Sequence, residues 1–415
     1  MHRRWILLSL LLLLVFIVPT LAQEEGPPQV GLRPDAPTYA LHGPYWVGTQ
    51  EFVIEDAERP IPLTVWYPAL NPENKEESVA YTPIIKWVTM PEGDYTVIGR
   101  ALRDASPDAV DAPYPLIVFS HGYAAFPARH AYFPEHLASY GFVVVAPDHP
   151  EHWYFEGDPN RDVLQITADR PRDIVRVLDY ADSLTGSGGM FEGLIDMDQV
   201  AISGHSYGGY TALAAAGARY DLEAYNTYCA DVSDDPAVSE VLFCPQIVPN
   251  EVELARLAGL DPMPEGLWPS MGDPRIKAVL PLAGDAYLFG NDGLAEVTIP
   301  MLAMGGTLDT STPYAWGARF AYDHIGSQQK SLVGIESAEH SLFNTPCNDE
   351  LWMLDIGAHY FCSDAVWDMD RAHDLINHFA TAFLLDVLKG DAEAHAALLA
   401  ENVDFPGIAY ETTLK

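Results

Sequence analysis

Short apolar runs alternate with amphipathic helical patterns along the chain from about residue 115 onwards. The runs that are continuous enough for strands buried on both faces are PLIVFSHG, FVVVAPD, QVAIS, IKAVLPLAG, IPMLAMGG and KSLVGIES. Helical periodicity separates them, as in residues 170–184, where Pro171 is expected near the first turn, and in residues 372–390, which end at Gly390. The alternation predicts an α/β protein with a mostly parallel central sheet flanked by helices.

Three further segments complete the predicted architecture. Residues 45–70 alternate in the manner of an antiparallel hairpin added to the sheet edge. Residues 218–275 interrupt the alternation, and an insertion at this point would lie over the carboxyl ends of the strands, so we expect a lid rather than a separate domain. Residues 23–44 open with an acidic, proline-rich stretch and are expected to form a flexible lead-in. Residues 45–415 are therefore predicted to be one domain.

The first 22 residues have the pattern of a secretory signal peptide. Two arginines precede an unbroken apolar stretch, and the small-residue end is Thr20-Leu21-Ala22. Cleavage after Ala22 is the interpretation we favour. The alternative is an uncleaved membrane anchor, because the apolar stretch is near the minimum length that spans a bilayer. Both alternatives predict an exported protein, extracellular or periplasmic.

Charge and cysteine content narrow the classes of partner and site. The formal net charge of −37 argues against nucleic acid or anionic membranes as partners, because both require basic patches. Two equally spaced cysteine pairs favour disulfides between Cys229 and Cys244 and between Cys347 and Cys362, which an exported chain can keep oxidised. None of the cysteines has the spacing of a zinc site.

The stretch VAISGHSYGG carries the first candidate for chemistry. It places Ser206 between Gly204 and Gly208, where a predicted strand meets a helix of small residues. A sharp turn at this point leaves no room for a Cβ at the flanking positions and holds the serine in a strained backbone conformation above the sheet edge. The short motif alone is weak evidence for a nucleophile. The assignment therefore depends on whether the chain also offers a base and an acid.

A serine nucleophile needs a base, and the base needs a carboxylate that orients it. In sheets of this type the acid and then the histidine follow the serine, each after a strand. Asp309 follows IPMLAMGG and His340 follows KSLVGIES, so both are in the required order. Asp285, which follows the preceding strand, is the alternative acid. We favour Asp309 because its turn closes on the strand next to the histidine loop.

The same loops offer an oxyanion hole but no clear metal site. The backbone N–H groups of Tyr207, directly after the serine, and Tyr123, in the loop after the first buried strand, are the candidate donors. His149 and His152 could suggest a metal pair, yet no third ligand of suitable spacing is near. We therefore predict that the site uses neither a metal nor a cofactor.

These motifs resemble the α/β-hydrolase superfamily. Within it the chain is similar to platelet-activating-factor acetylhydrolases, dienelactone-hydrolase-like esterases and bacterial cutinases that attack polyesters. The resemblance covers roughly residues 45–70 and 114–390 and is carried by PLIVFSHGYAAF, LASYGFVVVAPDH, RDIVRVLDYADSL, VAISGHSYGG and GGTLDTSTPY. It implies Ser206 as the nucleophile, Asp309 and His340 as its partners, and Tyr123 and Tyr207 as oxyanion donors.

Two departures keep alternatives open. In the acetylhydrolases the position of the acid resembles that of Asp285. In addition, the insertion at residues 218–275 is longer than any in the small cutinases, which have open clefts. The prediction is a secreted serine hydrolase of small-molecule or lipid esters, without a stable protein partner. Short acyl esters are the first expectation, phospholipids of the acetylhydrolase type the second and polyesters the third. The alternatives are a peptidase of similar fold and a catalytically inactive fold used for binding.

Overall fold

The computed structural model describes residues 26–82, 96–123, 125–149, 159–347, 354–355 and 357–415. The predicted signal peptide and His152 lie outside these ranges. Within them, no helix is both long enough and apolar enough to cross a membrane.

A large sheet organises the molecule. In chain order the strands are β1 (Trp46–Ile54), β2 (Ile61–Ala69), β3 (Val79–Tyr81), β4 (Val97–Gly99), β5 (Leu102–Arg103), β6 (Tyr114–Ser120), β7 (Val143–Pro147), β8 (Ile195–His205), β9 (Ile276–Leu282), β10 (Met301–Gly306), β11 (Lys330–Ile335) and β12 (Ile408–Thr412). Ten of them form one sheet in the order β12-β11-β10-β9-β8-β6-β7-β2-β1-β5, while β3 and β4 form a separate pair. The strands from β6 to β11 are mutually parallel. The mostly parallel sheet predicted from the sequence is confirmed.

Antiparallel strands flank this parallel block on both sides. The predicted hairpin is β1 and β2, and β2 pairs with β7. On the other side β12 pairs with β11. The sequence pattern does not predict β12, because the strand is only five residues long and alternates between half-buried and exposed positions without a continuous apolar run.

Helices cover both faces of the sheet. They are α1 (Tyr132–Ser139), α2 (Pro159–Thr185), α3 (Tyr207–Ala215), α4 (Leu222–Asp231), α5 (Pro236–Val241), α6 (Cys244–Ile247), α7 (Glu251–Leu257), α8 (Gly290–Ala295), α9 (Ala318–His324), α10 (Met369–Lys389) and α11 (Ala392–Ala397). Successive side chains of β6 alternate between two cores, with Leu116 and Val118 on the side of α2 and α3, and Ile117 and Phe119 on the side of α1 and α10. A strand buried on both faces therefore has the unbroken apolar sequence seen here.

Helix α2 begins eleven residues before its expected start, so the predicted position of Pro171 near the first turn is wrong. Proline has no N–H to donate, and the carbonyl of Thr167, four residues earlier, loses its helical partner. The Tyr210 and Tyr220 hydroxyls donate to that carbonyl oxygen at 2.7 and 3.0 Å. The buried carbonyl is satisfied from α3 and from the segment after it, which allows the helix to continue.

Residues 26–44 pack against the domain, which differs from the flexible lead-in expected there. The Asp374 carboxylate on α10 accepts hydrogen bonds from the backbone N–H groups of Leu32 and Arg33, both at 2.9 Å. A short 3-10 turn at Thr38–Ala40 packs on the same helix. The partners of this segment are buried polar side chains on α10. Because α10 lies more than 300 residues later in the chain, the local composition of residues 26–44 does not reveal these contacts.

Both predicted disulfides are present. Cys229–Cys244 joins α4 to α6, and Cys347–Cys362 closes a loop after β11. Residues 218–275 form α4 to α7 and the segments that connect them to β9, and α6 and α7 pack against α2. The insertion therefore extends the core on the α2 side of the sheet.

Candidate active site

Ser206 lies at the sharp turn between β8 and α3. Its backbone has φ 58° and ψ −123°, a conformation that L-residues rarely adopt. A Cβ on Gly204 would lie 2.3 Å from the carbonyl oxygen of Gly208, and a Cβ on Gly208 would lie 1.9 Å from that of Ser120. Glycine is therefore required on both sides of the serine, as the motif predicts.

The start of α3 fixes the direction of one candidate oxyanion donor. The Ser206 carbonyl oxygen accepts hydrogen bonds from the N–H groups of Gly209 and Tyr210 at 2.8 and 3.2 Å, so this carbonyl points along the helix. In a trans peptide the following N–H points in the opposite direction. The Tyr207 N–H is thus directed away from the helix, at the end where helical N–H groups have no internal acceptor.

Arg170 fixes the loop that carries the second candidate donor. Its buried guanidinium donates to the carbonyl oxygens of His121 and Gly122 at 2.6 and 3.1 Å. Because the Gly122 carbonyl points toward Arg170, the N–H of Tyr123 in the same peptide points away from it. A Cβ added to Gly122 would lie 3.3 Å from the Cβ of Ser206, so this loop passes close to the serine.

Arg170 is not among the residues predicted from the sequence, although the chain carries a signal for it. Arg170 lies four residues before Ile174 on α2, at a position that the helical periodicity assigns to the buried face. A charged side chain there needs buried acceptors, which are the loop carbonyls.

Asp309 and His340 meet across the loops that follow β10 and β11. The distance from Asp309 Oδ2 to His340 Nδ1 is 2.8 Å. The buried Asp309 carboxylate also accepts the backbone N–H groups of Ser311 and Thr312, both at 2.8 Å. These donors replace hydrogen bonds that water would otherwise make to the buried carboxylate.

Asp285 is not part of this pair. It follows β9 beside a small cavity of about 20 Å³ that is lined by aromatic and aliphatic side chains, among them Tyr225 and Tyr287. Among the described residues its carboxyl has no hydrogen-bond or ion-pair partner. Burial raises the pKa of Asp285 to about 7, and the nearby His340 and Asp309 have opposing smaller effects on it. The structure thus pairs His340 with Asp309, the acid favoured by the sequence analysis.

Two buried histidines lie behind His340. His205 Nε2 is 3.2 Å from the His340 carbonyl oxygen, and His205 Nδ1 is 3.0 Å from His130 Nε2. A carbonyl can only accept, so the His205 proton is on Nε2 and His130 donates to His205 Nδ1. Burial lowers the pKa of His130 to about 3 and holds the pKa of His205 well below its usual range. Both rings are therefore neutral near pH 7. His205 holds the backbone carbonyl of His340, and His130 holds the ring of His205.

Ser206 and His340 open into one cavity of about 860 Å³. Its walls come from the loop after β6, the turn at His340–Phe343 and the segment 359–365. Among the described residues, none of its lining side chains belongs to 218–275. That insertion reaches the site from the side, where Phe243 packs on Tyr123 with ring centroids 6.2 Å apart. Its role as a lid stays a prediction.

Of the two candidate metal ligands, His152 lies outside the described residues and His149 has other contacts. His149 Nε2 is 2.9 Å from the Ser120 hydroxyl, and its Nδ1 is 3.3 Å from Asp173. In the part of the chain that the structure describes, no group of three or more histidine, cysteine, aspartate or glutamate side chains is arranged to hold a metal ion.

Comparison with known proteins connects this architecture to hydrolases. The model of the alpha/beta hydrolase family matches residues 117–400, and the model of platelet-activating factor acetylhydrolase, isoform II, matches residues 31–155. A platelet-activating factor acetylhydrolase of Cavia porcellus is 24% identical over 41% of this chain and 50% of its own length. A cutinase of Thermobifida alba is 33% identical over 27% of this chain and 33% of its own length. The chain therefore spans half or less of these two relatives.

Longer matches have lower identity. A chlorophyllase-1 of Citrus unshiu is 24% identical over 78% of this chain and 88% of its own length. A ferulic acid esterase from Streptomyces cinnamoneus shares the fold, with a TM-score of 0.54 at 20% identity over 88% of this chain and 95% of that structure. Since the first family model spans more than half of the sequence and agrees with the observed sheet, the chain belongs to the alpha/beta hydrolase family.

Proposed function

We propose that the protein is a serine hydrolase that cleaves carboxylic esters through an acyl-enzyme. Ser206 is the nucleophile, His340 the general base and Asp309 the carboxylate that orients the imidazole. The observation that carries this proposal is the 2.8 Å contact between Asp309 and His340 in loops that share a cavity with the strained Ser206.

The proposed acylation gives each of these groups a role. Asp309 accepts the Nδ1–H of His340, which leaves Nε2 free to accept the Ser206 hydroxyl proton. The Ser206 oxygen forms a bond to the ester carbonyl carbon, and the carbonyl oxygen becomes an oxyanion. This tetrahedral intermediate then collapses, the bond to the alkoxy oxygen breaks, and His340 gives its proton to the departing alcohol.

Deacylation repeats the same steps with water. His340 accepts a proton from water, the hydroxide adds to the acyl carbon, and the Ser206 oxygen leaves with the proton. In both halves the N–H groups of Tyr123 and Tyr207 stabilise the oxyanion. Arg170 is a positioning residue in this scheme, because it fixes the peptide that carries the Tyr123 N–H without touching the substrate.

Short-chain esters remain the first choice of substrate. A cavity of about 860 Å³ is within the range that encloses a small-molecule ligand. Phospholipids of the acetylhydrolase type and polyesters of the cutinase type are the alternatives, in line with the named relatives. The two disulfides support export to an oxidising compartment.

Hydrolysis of p-nitrophenyl esters of increasing acyl length tests the proposal. The full chain, produced in an oxidising compartment, should hydrolyse the short esters, and Ser206→Ala should lower kcat by about 10⁴-fold or more. Ser203→Ala is the matched control, because that hydroxyl donates to the Leu280 carbonyl oxygen inside the sheet. Equal activity of Ser206→Ala and the wild type would refute the nucleophile. A folded wild type that neither turns over esters nor reacts with a fluorophosphonate would favour the inactive binding fold.

A further inference from the structure

The outer wall of the large cavity carries an exposed aromatic pair. Tyr360 and Phe361 line the cavity together with Ser206, and their side chains are 62% and 44% exposed. The two rings lie 4.2 Å apart between centroids with an angle of 32° between their planes. Large apolar side chains that are exposed next to a concave site are typical of binding surfaces.

The backbone of this pair is fixed from two directions. The next residue, Cys362, is buried and forms the disulfide with Cys347. The Phe361 carbonyl oxygen accepts a hydrogen bond of 2.8 Å from the Asn344 side chain, just after the turn that carries His340. The aromatic pair is thus attached to the same loop as the proposed base.

Asp364 makes a second connection to that loop. Its Oδ2 accepts the backbone N–H of Glu339 at 2.8 Å, and its Oδ1 accepts the N–H groups of Val366 and Trp367 at the same distance. Glu339 directly precedes His340. Asp364 therefore connects the segment of the aromatic pair to the residue next to His340. A group bound on Tyr360 and Phe361 would be held at a fixed distance from the serine.

We propose that Tyr360 and Phe361 form a subsite for a planar aromatic ring, so that the preferred substrates are esters that carry an aryl group. This inference rests on the proposed function and defines its substrate class. Flat rings pack favourably on other flat rings in offset or edge-to-face arrangements. The same cavity is also lined by polar side chains: Thr310, Ser311, Asn344, Ser363 and Asp364.

A pair of esters that differ only in the ring tests this subsite. Methyl 3-phenylpropanoate and methyl 3-cyclohexylpropanoate have the same number of carbons, but only the first has a flat aromatic ring. The measured quantity is the ratio of their kcat/KM values. In the double variant Tyr360→Leu/Phe361→Leu, which keeps apolar side chains, the ratio of phenyl to cyclohexyl ester should fall roughly 3- to 10-fold.

Val366→Ala is the matched control, because Val366 is exposed directly after the segment 359–365 and does not line the cavity. It should keep the wild-type ratio. A double variant with an unchanged ratio would overturn the proposal. An equal loss of turnover for both esters would also overturn it, because that result indicates a general role of the pair in folding or catalysis.

Binding to the inactive Ser206→Ala variant separates this proposal from the proposed function. Calorimetry with 4-phenylbutan-2-one and 4-cyclohexylbutan-2-one, the ketone counterparts of the two esters, requires no turnover. Tighter binding of the phenyl ketone, lost when Tyr360 and Phe361 become leucine, would support the subsite even if the wild type hydrolysed no ester. Equal binding of the two ketones would reject the aromatic subsite and leave the ester hydrolase proposal intact.

Discussion

Two loops at the same edge of the sheet each carry an aspartate, and their surroundings differ. The loop after β10 holds Asp309, whose carboxylate contacts two backbone N–H groups and His340. The loop after β9 holds Asp285, which has no hydrogen-bond partner among the described residues and lies beside tyrosine rings. Both aspartates follow a parallel strand, so the topology alone permits either one to serve as the acid of the site.

The comparison shows that local donors distinguish the two carboxyls. A carboxylate keeps its charge away from bulk water only where donors replace the lost hydration. The turn at Asp309 supplies such donors from its own backbone, while burial of Asp285 raises its pKa to about 7. The loop after β10 supplies hydrogen-bond donors to its carboxylate, whereas burial in the loop after β9 favours the neutral form of Asp285.

Replacing each aspartate by asparagine should produce the largest difference between the loops. Asparagine at position 309 cannot hold His340 as the carboxylate does, because its amide also donates hydrogen bonds, and it carries no charge to stabilise the imidazolium. Asp309→Asn should therefore lower kcat about 10³- to 10⁴-fold. Asp285→Asn should lower kcat less than about 10-fold, because the carboxyl is not bonded to the histidine. Steady-state hydrolysis of p-nitrophenyl acetate measures both variants.

Thermal unfolding of the two variants controls for loss of structure. A large loss of kcat in Asp285→Asn with full activity in Asp309→Asn would reverse the assignment. His340 would then have to turn away from the partner seen in the structure.

Much of this site could be predicted because the signals are local. Short stretches of sequence are enough to identify the glycines around Ser206 and the strand ends before Asp309 and His340. Chain order then predicts that these strand ends meet, because parallel strands point the same way. In the structure Ser206 lies at the turn and Asp309 contacts His340, while their catalytic roles stay a prediction.

The features that could not be predicted from the sequence depend on contacts between segments that are distant in the chain. Arg170 binds carbonyl groups almost 50 residues earlier. The extension of α2 past Pro171 depends on hydroxyl groups from Tyr210 and Tyr220. The same limit applies to the two acids, because the sequence cannot show how many donors surround each carboxylate.

The pH dependence of stability offers a second contrast between the loops. Burial raises the pKa of Asp285 from 3.8 to about 7, so the folded protein holds this proton more tightly than the unfolded chain does. The stabilising contribution of the protonated group is complete below about pH 4 and is lost as the pH rises through about 7. Asp285→Asn does not ionise, so its free energy of unfolding relative to wild type should rise by about 1–3 kcal/mol between pH 4.5 and pH 8.

Urea unfolding at the two pH values measures this difference. Asp404→Asn removes an exposed carboxyl outside the site and controls for the change in net charge. A pH-independent difference between Asp285→Asn and the wild type would mean that the Asp285 carboxyl ionises alike in the folded and unfolded chains.

Thr312 joins the two loops and provides the smallest and most specific test. Its hydroxyl oxygen lies 2.7 Å from the Ala283 carbonyl oxygen, 3.0 Å from Asp309 Oδ2 and 3.2 Å from His340 Nδ1. The single hydroxyl proton can satisfy one acceptor at a time, and the shortest contact assigns it to Ala283. The oxygen can then accept a share of the His340 Nδ1–H beside Asp309.

Thr312→Val keeps the shape of the side chain and removes these hydrogen bonds, so kcat should fall about 5- to 10-fold, as expected for one net hydrogen bond of about 1 kcal/mol. Thr312→Ser restores the hydroxyl and should recover most of the loss. If serine were as slow as valine, packing of the threonine methyl group would explain the effect. If both variants matched the wild type, the Asp309 loop would position His340 without help from the loop that carries Asp285, and the two loops would act independently.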